Sequence, residues 1–135
     1  MNELISFVNT EQYDKLEDAW LGIIDSNSKN LQALFEVVDL LAKREDKKRA
    51  HDFLVTLAPH YKQRGHYQDV LEILKKVLEY NPKEKGMAKE IAECYSHIYK
   101  DRPYAKDLIE KTCIETTSDI RCAITKLEKY FYLDC

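Results

Sequence analysis

Four histidines and four cysteines are the side chains in this chain best suited to hold a metal ion or to act as nucleophiles. They are His51, His60, His66, His97, Cys94, Cys113, Cys122 and Cys135. No two of the histidines have the four-residue spacing, with glutamate between them, of a zinc-protease helix. No pair of the cysteines has the Cys-x-x-Cys spacing of a structural zinc site. We therefore expect no metal site, and reduced thiols in a cytosolic protein.

Glycine-rich phosphate-binding loops are missing from the sequence as well. The three glycines form neither G-x-x-x-x-G-K-S/T nor G-x-G-x-x-G. Acidic residues such as Glu17 and Asp18 fall on faces of predicted helices that we expect to be solvated. The sequence therefore predicts a non-catalytic protein that uses no cofactor.

The composition favours one all-α domain. The chain has 135 residues, of which 44% are hydrophobic and 33% charged, with only three glycines and three prolines. That length suffices for a hydrophobic core, and the scarcity of turn residues disfavours β-structure. No run of about 18 apolar residues predicts a transmembrane helix. The first residues lack the basic and long apolar segments of a secretory signal, so we expect no membrane contact and a cytoplasmic location.

Apolar residues recur at helical spacing in eight segments. The predicted helices cover residues 1–9, 11–24, 31–43, 50–64, 67–80, 84–100, 104–113 and 117–133. Gly65 is predicted to end the fourth helix in a left-handed conformation. Asn81 is predicted to cap the sixth helix, with Pro82 in its first turn and Glu84 answering the cap. Pro59 is expected to kink the fourth helix.

Residues 51–84 resemble a tetratricopeptide repeat, a 34-residue helix–turn–helix unit. The residues that match the family pattern best are Ala58, Tyr61, Gly65 and Pro82, whereas Leu54 stands where tryptophan is typical. Ala88, Ile91, Ala92 and Tyr95 continue the pattern one repeat length later. The resemblance implies a right-handed α-solenoid of about eight antiparallel helices. It would comprise pairs at 51–84 and 85–113 and a capping helix at 117–133.

The N-terminal part fits that array less well. The apolar residues Tyr13, Leu16, Trp20 and Ile23 correspond in type to the second-helix residues Tyr67, Val70, Leu74 and Val77. The offset of that match exceeds one repeat length by a whole helix. We therefore predict irregular helices over residues 1–50, within a single domain of residues 1–135.

The resemblance implies a concave groove lined by the first helix of each pair. The candidate partner-binding residues in that groove are Asp52, Val55, Lys62, Gln63, Lys89, Glu93, Ser96 and His97. Chaperone-tail-binding members of the family use Lys and Asn there to clamp a terminal carboxylate. Val55 and Pro59 occupy such places in this chain, so that ligand is not expected. The groove would bind another protein or pack against another domain.

Charge is unevenly distributed along the chain. Residues 1–41 hold eight acidic and two basic side chains, and residues 42–89 hold twelve basic and seven acidic ones. The basic centre could attract an acidic partner or simply be solvated. Its cluster of Lys43, Arg44, Lys47, Lys48 and Arg49 also leaves open a weak contact with nucleic acid. A pI of about 5.8 is low for a protein that binds nucleic acid on its own.

A fainter resemblance concerns the order of the helices and the closing segment 126–135. Both are similar to the N-terminal helical domain of bacterial Gre-type transcript-cleavage factor fusions, as in chlamydiae and spirochaetes. That resemblance implies a domain that contacts RNA polymerase, without the acidic coiled-coil tip that cleavage needs. The main hypothesis is a protein–protein interaction scaffold, the N-terminal domain of a larger cytosolic protein. A transcription elongation factor domain and a weak nucleic-acid contact are the alternatives.

Overall fold

The computed structural model describes residues 2–25, 31–84, 86–112, 114 and 119–133, and these form helices and turns without a strand. The helices are α1 (Asn2–Asn9), α2 (Tyr13–Asp25), α3 (Leu31–Lys43), α4 (Lys47–Gln63), α5 (Tyr67–Tyr80), α6 (Met87–Ile98), α7 (Ala105–Lys111) and α8 (Ile120–Leu133). The predicted all-α class is confirmed. The first residues of the predicted last helix, 117 and 118, lie outside the described residues.

Two aspartates set helix starts that the apolar pattern could not fix. Asp46 caps α4, since its Oδ1 accepts the Arg49 backbone N–H at 3.2 Å. Asp119 caps α8 in the same way, accepting the Cys122 N–H at 3.0 Å. In both helices the carboxylate satisfies a donor that the first turn would leave unpaired.

The predicted start of the sixth helix is wrong by three residues. Asn81 ends α5, because its N–H donates to the Val77 carbonyl at 2.9 Å. Its side chain does meet Glu84, donating to Oε2 at 2.7 Å, and it also accepts the Lys83 N–H at 3.3 Å. The asparagine therefore closes a local turn that competes with helix formation. α6 begins only after Gly86, which has a left-handed φ of 81°.

One turn geometry ends α1, α3 and α4. The residue two places before the next helix has a positive φ in each case: 58° at Glu11, 64° at Glu45 and 75° at Gly65. The N–H of that residue bonds back three residues, and the following N–H bonds back five residues. This is the Schellman arrangement. The left-handed turn predicted at Gly65 is confirmed, and it has two counterparts without glycine.

The chain divides into two compact units, Met1–His60 and Tyr61–Cys135. The division falls within α4, which continues through Pro59. In the first unit α1 packs against α2 and α3. The core of the first unit comprises buried apolar side chains, which include Val8, Leu16, Trp20, Val37, Val38, Leu41, Leu54 and Leu57.

Helices α2 and α4 lie side by side in the first unit and run in the same direction. Arg44, which precedes α4, pairs with Glu11, which precedes α2, at 3.3 Å. Further along, the Trp20 ring stacks on the Phe53 ring with centroids 4.6 Å apart. Because both residue numbers rise together, the helices are parallel. Their starts, Tyr13 and Lys47, are 34 residues apart.

In the second unit α5 packs on α6, α6 on α7, and α7 on α8. The predicted apolar stripe of α5 is buried, from Val70 to Leu78. Helix α8 also contacts α5 and the end of α6. Glu128 pairs with Lys75 on α5, and the Phe131 ring stacks on Tyr99 at 4.0 Å. The last helix is therefore held by three others.

Candidate partner-binding surfaces

Two large aliphatic side chains of the first unit remain exposed. Leu21 on α2 is 50% exposed and Val55 on α4 is 43% exposed. Their separation along the chain equals that between the starts of their helices, one repeat length. One turn before them lie two exposed carboxylates, Asp18 and Asp52. Equivalent positions on parallel helices therefore carry the same pair of side-chain types.

The contacts between α2 and α4 place these residues on one side of the helix pair. Tyr13, Glu17 and Trp20 of α2 face Arg49 and Phe53 of α4. Each step of one residue along a helix turns the side chain by about 100°. One step forward from the contact residues of α2 reaches exposed residues such as Asp18 and Leu21, and one step backward from those of α4 reaches Lys48 and Asp52. Because the two helices are parallel and face each other, these opposite turns bring both sets to the same side of the pair. We call this surface the α2–α4 face; it comprises Asp14, Asp18, Leu21, Lys48, Asp52 and Val55.

Arg49 joins the two helices beside this face. Its guanidinium pairs with Asp46, reaches Glu17 at 3.3 Å, and lies 4.2 Å from the centroid of the Tyr13 ring. Burial lowers the pKa of Arg49, but the hydrogen bonds and charges of Asp46 and Glu17 outweigh burial and raise it overall. The Arg49 guanidinium therefore has both acidic partners and an aromatic partner within the first unit.

A charged cluster in the second unit joins Lys62, at the end of α4, to Glu90 and Glu93 of α6. The Lys62 ammonium is 3.4 Å from Glu93 and 3.7 Å from Glu90. Burial lowers the pKa of Lys62, whereas the two carboxylates raise it and prevail. Beside them the rings of Tyr67 and His97 stack with centroids 4.0 Å apart and an interplanar angle of 3°. We call these five residues the α6 face.

Cys94 lies on α6 next to Glu93 and is only 2% exposed. Burial, with a further contribution from Glu90 and Glu93, raises the pKa of its thiol to about 12. A thiol that stays protonated at neutral pH is neither a nucleophile nor a ready metal ligand. Cys94 therefore acts as a small apolar side chain.

The predicted groove residues are divided between the two units. Asp52 and Val55 belong to the first unit and are exposed, whereas the other six belong to the second. Among those six, Lys62 and Glu93 pair with each other, and His97 stacks on Tyr67. The remaining ones, Gln63, Lys89 and Ser96, are exposed.

Six residues of these two faces were not among the predicted partner-binding residues: Asp14, Asp18, Leu21, Lys48, Tyr67 and Glu90. Leu21 and Asp18 could have been found by stepping back one repeat length from Val55 and Asp52. Tyr67 was expected only as a repeat residue, and its stacking on His97 had no signal in the sequence.

The central basic residues are partly neutralised by carboxylates. Arg44 and Arg49 pair with acids of the first unit, and Lys75 and Lys76 pair with acids of the second. The exposed lysines of the basic cluster are Lys43, Lys47 and Lys48.

Comparisons with known proteins add no family: no protein-family model matches, and no curated protein or solved structure is significantly similar. Over the described ranges, no group of three or more histidine, cysteine or acidic side chains could hold a metal ion. None of the helices in that part of the chain is long and apolar enough to cross a membrane.

Proposed function

We propose that this chain is a non-catalytic protein–protein interaction module built from tetratricopeptide-like helical hairpins. Two features support the hairpin repeat. Helices α2 and α4 run parallel and begin one repeat length apart, as the first helices of successive repeats do. The same backbone turn also precedes both helices, at Glu11 and Glu45.

The main observation in support of the proposed function is the exposure of Leu21 and Val55. Most aliphatic side chains of the first unit are buried, yet these two lie uncovered on adjacent helices. Contiguous apolar patches rimmed by polar residues mark surfaces that bind other proteins, and Leu21 and Val55 would form the centre of such a patch. The α2–α4 face is therefore the proposed contact surface.

The proposal is tested with the double variant Leu21→Ser/Val55→Ser. A partner is captured from lysate on the immobilised chain, identified, purified and titrated by calorimetry. We expect the double variant to bind this partner about tenfold more weakly, since two apolar contacts are lost. The stability of the variant should change by less than about 0.5 kcal/mol, because both side chains are exposed.

Two control variants locate the contact. Tyr104→Ser removes an exposed apolar side chain of the second unit and should leave affinity unchanged. Lys62→Glu/Lys89→Glu changes the second unit's predicted groove residues. Loss of binding with this pair, and none with Leu21→Ser/Val55→Ser, would place the contact on the second unit. The absence of any saturable partner would contradict the interaction function itself.

A further inference from the structure

We propose that the α2–α4 face takes a segment of a partner protein in which a basic residue and an aliphatic one stand two positions apart. This inference rests on the proposed function and specifies the chemistry of the partner. It follows from the juxtaposition of exposed carboxylates and exposed aliphatic side chains on two parallel helices.

The negative charges of the α2–α4 face favour a partner segment that is basic. The face carries three carboxylates, Asp14, Asp18 and Asp52, against one cation, Lys48. The neighbouring Arg49 does not add a free positive charge, because it pairs with Glu17 and Asp46. His51 Nδ1 lies 3.6 Å from Asp52, so this carboxylate has one local contact, from a side chain that is positive only when protonated. The surface is acidic, and an arginine or lysine fits it.

The spacing between the carboxylates and the aliphatic side chains determines which residue pattern in the partner segment fits. Asp18 precedes Leu21 by three residues, and Asp52 precedes Val55 by three. Three residues of helix rise about 4.5 Å, so each carboxylate lies one turn from its aliphatic neighbour. In an extended peptide, residues two apart point to one side and lie about 6.6 Å apart. A basic side chain can then reach the carboxylate while the aliphatic one covers Leu21 or Val55.

The two helices offer the arrangement twice. The stacking of Trp20 on Phe53 shows that the two helices are in side-chain contact, so one extended chain can bridge them. A segment that repeats the basic-x-aliphatic pattern would therefore engage both helices. Arginine suits the exposed carboxylates, since its guanidinium can bind them in a bidentate manner.

The test uses a fluorescein-labelled peptide, Gly-Arg-Ser-Leu-Ser-Arg-Ser-Leu-Gly, whose arginines and leucines all point to one side when it is extended, titrated with the full chain by fluorescence anisotropy. We expect saturable binding that weakens as salt is added. Asp18→Lys/Asp52→Lys should weaken it at least tenfold, and Leu21→Ser/Val55→Ser by about tenfold. The matched control Glu36→Lys/Glu110→Lys makes the same charge change at two exposed sites elsewhere and should retain most of the binding.

Peptide controls separate charge from apolar contact. Replacing both arginines by glutamate should abolish measurable binding, and replacing both leucines by serine should weaken it by about tenfold. The proposal is overturned if the glutamate peptide binds as well, or if the Asp18→Lys/Asp52→Lys chain binds the original peptide unchanged. Circular dichroism of every variant checks that it folds.

Two further outcomes would overturn this inference and leave the proposed function standing. One is a captured partner that needs Leu21 and Val55 but is not displaced by the arginine–leucine peptide. The other is self-association that Asp18→Lys/Asp52→Lys abolishes, measured by sedimentation velocity, with no peptide binding. The occupant would then be a second copy of the chain. Displacement of the partner by the peptide supports both proposals.

Discussion

The α2–α4 face of the first unit and the α6 face of the second use their surface residues in opposite ways. On the α2–α4 face, Leu21 and Val55 are uncovered and the carboxylates outnumber the cations. On the α6 face, Lys62 is held by two glutamates, and the His97 ring is stacked on Tyr67. The aliphatic side chains of the α2–α4 face are exposed to solvent, whereas the charged and aromatic side chains of the α6 face contact one another.

The difference shows why charge and aromatic content alone are poor guides to a binding surface. The α6 face has the side chains usually associated with recognition, but they are bonded to one another. A partner would have to replace those contacts, whereas on the α2–α4 face it would displace water from apolar side chains and from exposed carboxylates. The three predictions that follow concern the second unit, where the claim is that side chains serve the fold.

The largest expected effect is that of Phe131→Ala. Phe131 is 0% exposed and stacks on Tyr99 and Tyr95, which belong to the helix of the α6 face or its end. Removing the ring should lower the free energy of unfolding by about 3–5 kcal/mol, through lost burial and a cavity. Urea denaturation followed by circular dichroism measures this. The neighbouring Tyr130→Ala, at a half-exposed position, should cost less than about 1 kcal/mol; equal losses would refute the packing role.

A smaller effect should follow from Cys94 at high pH. The folded thiol has a pKa of about 12, whereas the unfolded reference is 9.0. Above pH 9.0 the unfolded chain releases this proton and the folded chain keeps it. Stability from this group is therefore complete below pH 9.0 and is lost as pH rises toward 12, by about 1 kcal/mol at about pH 10.

Urea titrations at about pH 8 and about pH 10 test this linkage. Cys94→Ala should lessen the fall in stability between the two conditions. The exposed Cys122 supplies the control, since Cys122→Ala should leave the fall intact. A wild-type fall that persists in full in Cys94→Ala would assign it to other groups.

The smallest expected effect is that of Lys62→Met. Its ion pairs with Glu90 and Glu93 are half-exposed, so their loss should cost less than about 1 kcal/mol, and less again at high salt. Lys89→Met, at an exposed position on the same face of the unit, should cost nothing measurable. Thermal denaturation of both variants makes the comparison. Partner binding that falls with Lys62→Met but not with Leu21→Ser/Val55→Ser would reverse the roles assigned to the two faces.

Periodicity was sufficient to predict the helices, because burying one face requires regular spacing of apolar residues. The stripe of α5 and the turn at Gly65 were predicted on these grounds and are present. The start of α6 could not be predicted so well. Asn81 and Pro82 are suited both to a helix cap and to a turn, and hydrogen bonds with Lys83 and Glu84 decide for the turn.

The surfaces were predicted less well than the helices. Matching Tyr13 to Tyr67 relied on side-chain type, which is shared by any two buried helix faces. The spacing of helix starts, which relates α2 to α4, depends on the turns, and two of these contain glutamate where glycine would have been the signal. Leu21 was therefore not recognised as the counterpart of Val55. The pairing of Lys62 with Glu93 depends on which helices meet, and spacing along one helix does not encode that.

Two glutamates of the first unit, Glu11 and Glu45, have left-handed backbone conformations and are therefore strained. A left-handed conformation costs a residue with a side chain about 1 kcal/mol, and glycine avoids that cost. The turns at Glu11 and Glu45 therefore hold about 2 kcal/mol between them, whereas Gly65 forms the same turn unstrained. The free energy of unfolding of a typical domain is about 5–15 kcal/mol, so strain of this size lowers it by a substantial fraction. Glu45→Gly would remove that strain at one turn and should stabilise the first unit by up to about 1 kcal/mol, without altering any residue of the α2–α4 face.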